Sequence, residues 1–354
     1  MVKLGIIGGG QLGLMLCESA LKIYFITHIY IFSDKTTDIS CNILKNNPKI
    51  TLIYNKYNEY NLLQFSILCD IITYEFENIN IEFLQNIKTP IYPHINYLQI
   101  IQDKFIQKNY LFDAKLPVGP FNQLNTVQDI QNFINIHKYP IVIKARKGSF
   151  DGRGNIVITD KIELNKWIES INIESLNNYY IESFINFDNE ISICGCKKNN
   201  KIICYEPVTN IHKNSILLKT TYNKTIPEHI NNKIKTIYSS ILNIIDTKGV
   251  ICVEFFQQNN NIYINEIALR VHNTYHISLD CCNISQFDLH LKSILDLDII
   301  QPKFITNGIM YNIISNIQTY QDIINKNKHN TITYKDYYKK NIGIRKVGHI
   351  NMII

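Results

Sequence analysis

The chain has 354 residues, 45% of them hydrophobic and 19% charged, with a formal net charge of +6 and an isoelectric point near 8.6. That length suits two or three domains, and the composition is that of a folded chain. The basic residues form no dense run or basic-aromatic array and no apolar run is long enough to span a bilayer, which excludes nucleic acid and membrane as partners. The nine cysteines show no paired metal spacing, so buried free thiols in a reducing compartment are expected. With no signal peptide ahead of the first strand, a cytoplasmic protein is expected.

In chain order, Val2–Ile7 is a short apolar run of the kind that makes a buried parallel strand. Gly8, Gly10 and Gly13 then satisfy G-x-G-x-x-G ahead of a helical pattern running to Leu21. A second strand at 29–32 ends at Asp34, about where a ribose-binding acid stands in dinucleotide folds. Backbone N–H groups of such a loop hold any phosphate or small anion. Because a fuller nucleotide site lies downstream, a phosphate-bearing substrate is favoured here over NAD. A strand at 71–74 leads to Glu75-Phe76-Glu77, and this first parallel unit, with helices on both faces, is expected to end near Pro93.

The stretch 100–115 reads as a helix opening a new unit. A strand at 140–144 ends in Lys144, and the loop 147–154 turns back into a strand at 155–158. Stretches 179–185 and 190–196 read as antiparallel strands, followed by strands at 250–257 and 261–267 and a helix at 286–295. Pro302 opens a last segment with short strands and a basic end at 339–346.

Glu254 and Glu266 fall on successive strands, where two carboxylates can hold Mg²⁺ against the phosphates of a nucleotide. Just beyond, Arg270, His272 and Asn273 can receive whatever leaves that nucleotide. Lys144 can reach phosphate oxygens from its strand end, and the glycine loop after it is flexible enough to fold over a triphosphate, although no Walker A sequence follows. Glu182, Ser183, Phe184 and Ile185 form a strand able to offer backbone groups to adenine, and Glu190 can accept from ribose hydroxyls. Each piece alone also has a plain structural reading. Their order, with Asn265 beside Glu266, is what joins them into one site.

Together these residues resemble the ATP-grasp superfamily and, within it, the 5-(carboxyamino)imidazole ribonucleotide synthases. The resemblance runs nearly end to end through GIIGGGQLG at 5–13, TYEFENI at 73–79, QDKFIQK at 102–108, SFDGRGN at 149–155, NEIALRVHNTYH at 265–276, SQFDLHL at 285–291 and IRKVGHIN at 344–351. It implies an α/β and α+β chain of three units. These are a Rossmann-like pre-ATP-grasp domain at 1–95, a split ATP-grasp core at 96–298 with a lid at about 115–180, and a small β-rich C-terminal domain at 299–354.

The implied reaction joins bicarbonate to the amine of 5-aminoimidazole ribonucleotide, with ATP giving ADP and phosphate by way of carboxyphosphate, in a homodimer. The resemblance places Lys104, Lys144, Ser149, Phe150, Gly152, Arg153, Gly154, Asn155, residues 182–185, Glu190, His212, Asn265 and Glu266 around ATP. Two Mg²⁺ ions fall to Glu254 and Glu266. Asp151 would orient or deprotonate the substrate amine, and Arg270, His272 and Asn273 would cradle carboxyphosphate. Gln11, Leu12, Glu75, Thr274, Lys339, Arg345 and Lys346 would bind the ribonucleotide. The chain departs from the family pattern at Lys104, usually arginine, at Phe150, usually tyrosine, and at Leu269, Val271 and Tyr275, where two prolines and a glycine are usual. Other readings are a different ATP-grasp ligase, such as a formate-dependent glycinamide ribonucleotide transformylase, a weakened nucleotide-binding paralogue, and a dinucleotide dehydrogenase.

Overall fold

The computed structural model describes the chain apart from residues 37–39, 149–153, 214, 315–316, 328 and 340–344, and apart from the side chains of 317–320. Strands β1 (Val2–Ile7), β2 (Ile26–Ser33), β3 (Ile50–Tyr54) and β4 (Ile71–Tyr74) form a parallel sheet in the order β3-β2-β1-β4. β4 is buried along its whole length, as a strand covered on both faces must be, which is why it reads as an unbroken apolar run. The helix Gln11–Ala20 leaves the glycine loop and packs on the helix Gln286–Ile294, with Ser19 Oγ donating to Asp288. Thr73 Oγ1 and His290 Nε2 lie 2.8 Å apart at the same junction, so the first sheet is bonded to the core through buried polar contacts.

Strands β5 (Phe121–Gln123), β6 (Ile141–Ala145), β7 (Asn155–Ile158) and β8 (Tyr179–Ser183) form a separate antiparallel sheet in the order β5-β8-β6-β7. The helices Val127–His137 and Lys161–Ser170 cover one face of it through Ile130, Phe133, Leu164 and Trp167. Thr126 and Asp129 form a capping box on the first helix, and Asp160 caps the second at Ile162 N and Glu163 N.

The third sheet has nine strands: β9 (Asn189–Lys198), β10 (Lys201–Cys204), β11 (Val208–Lys213), β12 (Ile216–Tyr222), β13 (Ile251–Gln258), β14 (Asn261–Ala268), β15 (Gly308–Ile314), β16 (Thr331–Asp336) and β17 (Lys346–Ile353). The order is β14-β13-β9-β11-β12-β15-β17-β16, with β10 paired to β9. The helix Glu228–Ile244 covers one face with Ile230, Ile234, Ile237, Tyr238 and Ile241, a stripe at helical spacing.

The structure differs from the sequence reading at two places. The stretch 100–115 is two helices, Ile95–Gln102 and Lys104–Asp113, broken at an extended Asp103. The Asp103 carboxylate accepts from Phe105 N and Ile106 N and takes a bidentate contact from Arg146, so the break is a cap and an ion pair at once. The strands at 179–185 and 190–196 do not pair with each other, because β8 and β9 belong to different sheets. All nine cysteines are free. No described helix is long and apolar enough to cross a membrane.

Candidate active site

A cavity of about 550 Å³ opens where the three sheets meet, and residues from all three line it. From the first sheet and the helix after it come Gln11, Leu12 and Glu75, and from the four-stranded antiparallel sheet and the residues that follow it Lys144, Asn155 and residues 182–185. The nine-stranded sheet contributes Glu190, His212, Glu254, Asn265 and Glu266. Arg270, His272 and Asn273 follow at the end of β14, and Lys339 and Lys346 close the far side.

Two N–H groups of the glycine loop are taken by a side chain of the chain itself. Gly10 N and Gly13 N both donate to the Glu75 carboxylate, the latter at 2.7 Å, so the anion on this nest of N–H groups is the chain's own side chain. Gly8 sits at φ +112°, and a Cβ built there or on Gly10 would run into Glu75, at 2.7 Å in the case of Gly10. The motif therefore serves close approach of a carboxylate, which takes two of the N–H groups that were expected from sequence to face a phosphate. Burial pushes the Glu75 carboxyl above its usual range, and the Gly13 and Gly10 N–H groups pull it partly back. Asp34, the expected ribose acid, is exposed and outside the cavity lining.

Lysines and glutamates interlock across the lid. Glu182 is buried, with Oε2 2.9 Å from Lys144 Nζ, Oε1 3.3 Å from Lys108 Nζ, and Tyr180 OH donating to Oε1 at 2.8 Å. Burial alone would raise the Glu182 carboxyl, but Lys108 and Lys144 outweigh it and hold it at about 2. Lys144 Nζ also reaches Asn265 Oδ1 at 3.4 Å. Lys104 Nζ lies 2.9 Å from Glu266 Oε2. Both lysines assigned to phosphate from sequence thus line the cavity with carboxylate partners already in place.

Glu254 and Glu266 face each other directly across the β13–β14 register, just before a bulge. Burial pushes the Glu254 carboxyl up and the like charge of Glu266 adds to this, while His272 and His212 oppose it. Glu266 goes the other way, since Lys104 outweighs the burial that would raise it. His272 Nε2 lies 3.8 Å from Glu254 Oε1, beyond hydrogen-bond reach. A half-buried carboxylate with no hydrogen-bond partner among the described residues, register-paired with a second one on the rim of a polar cavity, is a donor set suited to a hard cation that takes its remaining oxygens from phosphate. Among the described residues no group of three His, Cys, Asp or Glu could hold a metal by itself.

Beyond β14 the chain is held from several sides. Arg270 Nε donates to Glu77 Oε2 at 3.3 Å, and Leu269 N donates to Glu77 Oε1 at 2.7 Å. His272 Nδ1 and Thr274 Oγ1 are 2.9 Å apart. Thr274, expected to touch substrate, is fully buried behind His272 and outside the cavity lining. Leu269, Val271 and Tyr275 are all core residues. The Tyr275 hydroxyl lies 3.0 Å from both Ser192 O and Glu206 O, so the bulk that replaces the usual glycine is absorbed below the site.

Glu190 and His212 pair through Oε2 and Nδ1 on the cavity wall, and this partner outweighs burial to raise His212. Phe187 and Phe256, stacked at 4.6 Å and 9°, add an apolar wall. Asn155 Oδ1 and Ser183 Oγ are buried without a hydrogen-bond partner among the described residues. Gly154, at φ +100°, accepts from Ala145 N and lies outside the lining, as does the half-buried Arg345. Ser149, Phe150, Asp151, Gly152 and Arg153 lie outside the described residues. Glu77, Lys108 and Gln286 escaped the sequence reading of the site, although each stands inside a quoted motif. Membership of those motifs was their only signal, since polar residues flank each of them.

The sheets and the cavity are those of an ATP-grasp enzyme with a ribonucleotide-synthetase front end. The ATP-grasp domain model matches residues 109–287 and the ribonucleotide synthetase preATP-grasp model residues 1–102. The N5-carboxyaminoimidazole ribonucleotide synthase of Staphylococcus aureus (strain MRSA252) is 34% identical over 298 residues, covering 82% of this chain and 76% of the relative. That of Staphylococcus saprophyticus is 31% identical over 358 residues, covering 99% and 92%. Among solved structures, the S. aureus N5-carboxyaminoimidazole synthetase complexed with ADP superposes with a TM-score of 0.90 at 29% identity, covering 100% of this chain and 93% of that one. The Aspergillus clavatus enzyme in complex with ADP and 5-aminoimidazole ribonucleotide does so at 0.87 and 26% identity, covering 100% and 94%. The chain belongs to the N5-carboxyaminoimidazole ribonucleotide synthase family.

Proposed function

We propose that the cavity carries out the ATP-dependent carboxylation of 5-aminoimidazole ribonucleotide with bicarbonate, a step of purine biosynthesis, giving ADP and phosphate. The observation that carries this is the convergence on one cavity of the register-paired Glu254 and Glu266, the cluster Arg270, His272 and Asn273, and the cations Lys339 and Lys346 beside Gln11. Residues 182–185 with Phe187 and Phe256 form the nucleotide end, and Lys144 and Lys104 offset phosphate charge. Glu254 and Glu266 would hold Mg²⁺, which supplies neutralisation of phosphate charge when bound. Arg270, His272 and Asn273 position bicarbonate and then the carboxyphosphate made from it, and exclude water that would hydrolyse it. Lys339 and Lys346 take the ribonucleotide phosphate, with Gln11 and Glu75 at its other end.

The same reading sets unit boundaries at 95 and 298 with a lid at about 115–180, supported by the separate β5–β8 sheet. It includes a homodimer, supported by the family resemblance and checked by light scattering. The test of function is phosphate release from ATP that requires both bicarbonate and 5-aminoimidazole ribonucleotide. Release with formate and glycinamide ribonucleotide instead would replace this reading with the transformylase one.

A further inference from the structure

Two chains of hydrogen bonds, each starting from a group whose polarity is fixed, run into the Asn273 side chain. The first starts on the backbone of His272. Its N–H donates to Gln286 Oε1 at 2.7 Å, and its carbonyl accepts from Gln286 Nε2 at 2.7 Å. A backbone N–H must donate and a carbonyl must accept, so the Gln286 amide has one orientation. Its Nε2 also lies 3.2 Å from His276 Nδ1, which therefore accepts and carries no proton. The ring proton of a neutral His276 is then on Nε2, which donates to Asn273 Oδ1 at 3.1 Å.

The second chain starts on Lys339, whose ammonium has only donors. Its Nζ donates to Gln11 Oε1, which turns Gln11 Nε2 toward Asn273 Oδ1 at 2.9 Å. Both chains thus end on the same oxygen. Asn273 Nδ2 has no hydrogen-bond partner among the described residues, and Asn273 is partly buried and lines the cavity.

We propose that His276 and Gln286 are positioning residues that lock the Asn273 amide so that its Nδ2 group faces the cavity as a hydrogen-bond donor to the carboxyl oxygens derived from bicarbonate. The identity of that acceptor rests on the function proposed above. The lock itself does not. Neither residue touches the cavity, and both are fully buried. His276 is held neutral by burial, with His349, His272, Lys346 and Arg270 all disfavouring a second proton. Its ring is clamped between His349, at 4.7 Å and 21°, and Phe287, at 5.9 Å and 18°. Asn351 Nδ2 holds its carbonyl at 2.9 Å, and Ser278 Oγ holds Gln286 N at 2.9 Å. The arrangement fixes a donor ahead of the reaction, which is how a site favours developing oxyanion charge without reorganising.

Two variants separate positioning from packing. His276→Phe keeps the stacked ring and removes both nitrogens, whereas His276→Gln keeps a donor where Nε2 stood. For phosphate release dependent on bicarbonate and 5-aminoimidazole ribonucleotide, His276→Phe is expected to lower kcat about 10- to 100-fold with the KM for ATP unchanged, and His276→Gln to stay within about threefold. Full kcat in His276→Phe, or equal losses in the two variants at equal melting temperature, would overturn the proposal. If His276→Phe does not fold, ¹⁵N-histidine NMR of the unaltered protein decides it. The expected His276 signal is a neutral ring protonated on Nε2 at pH 7, and an Nδ1–H tautomer or an imidazolium refutes the lock. Absence of ribonucleotide-dependent turnover in the unaltered protein would remove the assigned function and leave the NMR result to judge the lock alone.

Discussion

Glu77 and Arg270 stand 193 residues apart in the chain and meet at the seam between the parallel sheet and the end of β14. One carboxylate holds both the Arg270 guanidinium and the Leu269 N–H, so a residue just past β4 sets where the stretch 270–273 begins. Replacing Glu77 with Ala removes the ion pair and leaves the guanidinium its 3.1 Å bond to Val271 O. Stability is expected to fall by about 1–3 kcal/mol, and ribonucleotide-dependent turnover at least about tenfold. Melting curves and steady-state assays check both, and unchanged turnover would mean that Arg270 is held by other contacts.

Glu254→Gln and Glu266→Gln each remove one charge from the register pair. Both should shift the Mg²⁺ dependence of ATP turnover to higher concentration and lower its maximum about 100-fold or more. Glu266→Gln also releases Lys104, so its Mg²⁺ curve should differ from that of Glu254→Gln. A Mg²⁺ titration of each variant reads this directly. Curves that overlay the unaltered protein would remove the carboxylates from the metal site.

The Tyr275 side chain tests whether the departures near the site are structural. Tyr275→Phe should cost about 1–2 kcal/mol by stripping a buried hydrogen bond from Ser192 O and Glu206 O. Tyr275→Gly should cost about 3–5 kcal/mol by opening a cavity. Neither should change the KM for ATP by more than about threefold, because the ring points into the core. Denaturant midpoints and ATP saturation curves give the answer, and a large KM change in Tyr275→Phe would put that hydroxyl in the site.

Acid should weaken the fold through His290 and His349. Burial holds both at about 3, so each stays unprotonated in the folded chain while the unfolded chain takes up a proton below about 6.5. The stability they permit is complete above that value. It falls by about 1.4 kcal/mol per pH unit for each histidine on going down toward 3. Unfolding free energies at pH 7.5, 6 and 5 check the slope, which should lessen by one histidine's share in His290→Gln.

Much of this site was legible because its polar residues interrupt apolar strands. Glu254, Glu266 and Lys144 could be placed from strand pattern alone, and the cavity holds all three. The glycine loop misled because spacing reveals that backbone N–H groups converge but not on what. Only the fold shows that Glu75, on the neighbouring strand end, reaches them first. Asp103 was read inside a helix because its neighbours keep helical spacing, and its cap depends on Arg146 from another sheet. Glu77 acts through partners distant in sequence, and Gln286 and His276 through amide and ring orientations, and no local pattern carries either relationship.

The order of strands in the large sheet bears on how the chain is made. β17 is the last strand in sequence, yet it lies between β15 and β16, and it begins with Lys346 on the cavity wall. A chain emerging from the ribosome therefore holds β15 and β16 with open edges until residues 346–353 have cleared the exit tunnel. During that interval the half-made sheet exposes open strand edges, and the cavity wall that starts at Lys346 cannot exist before synthesis has passed it.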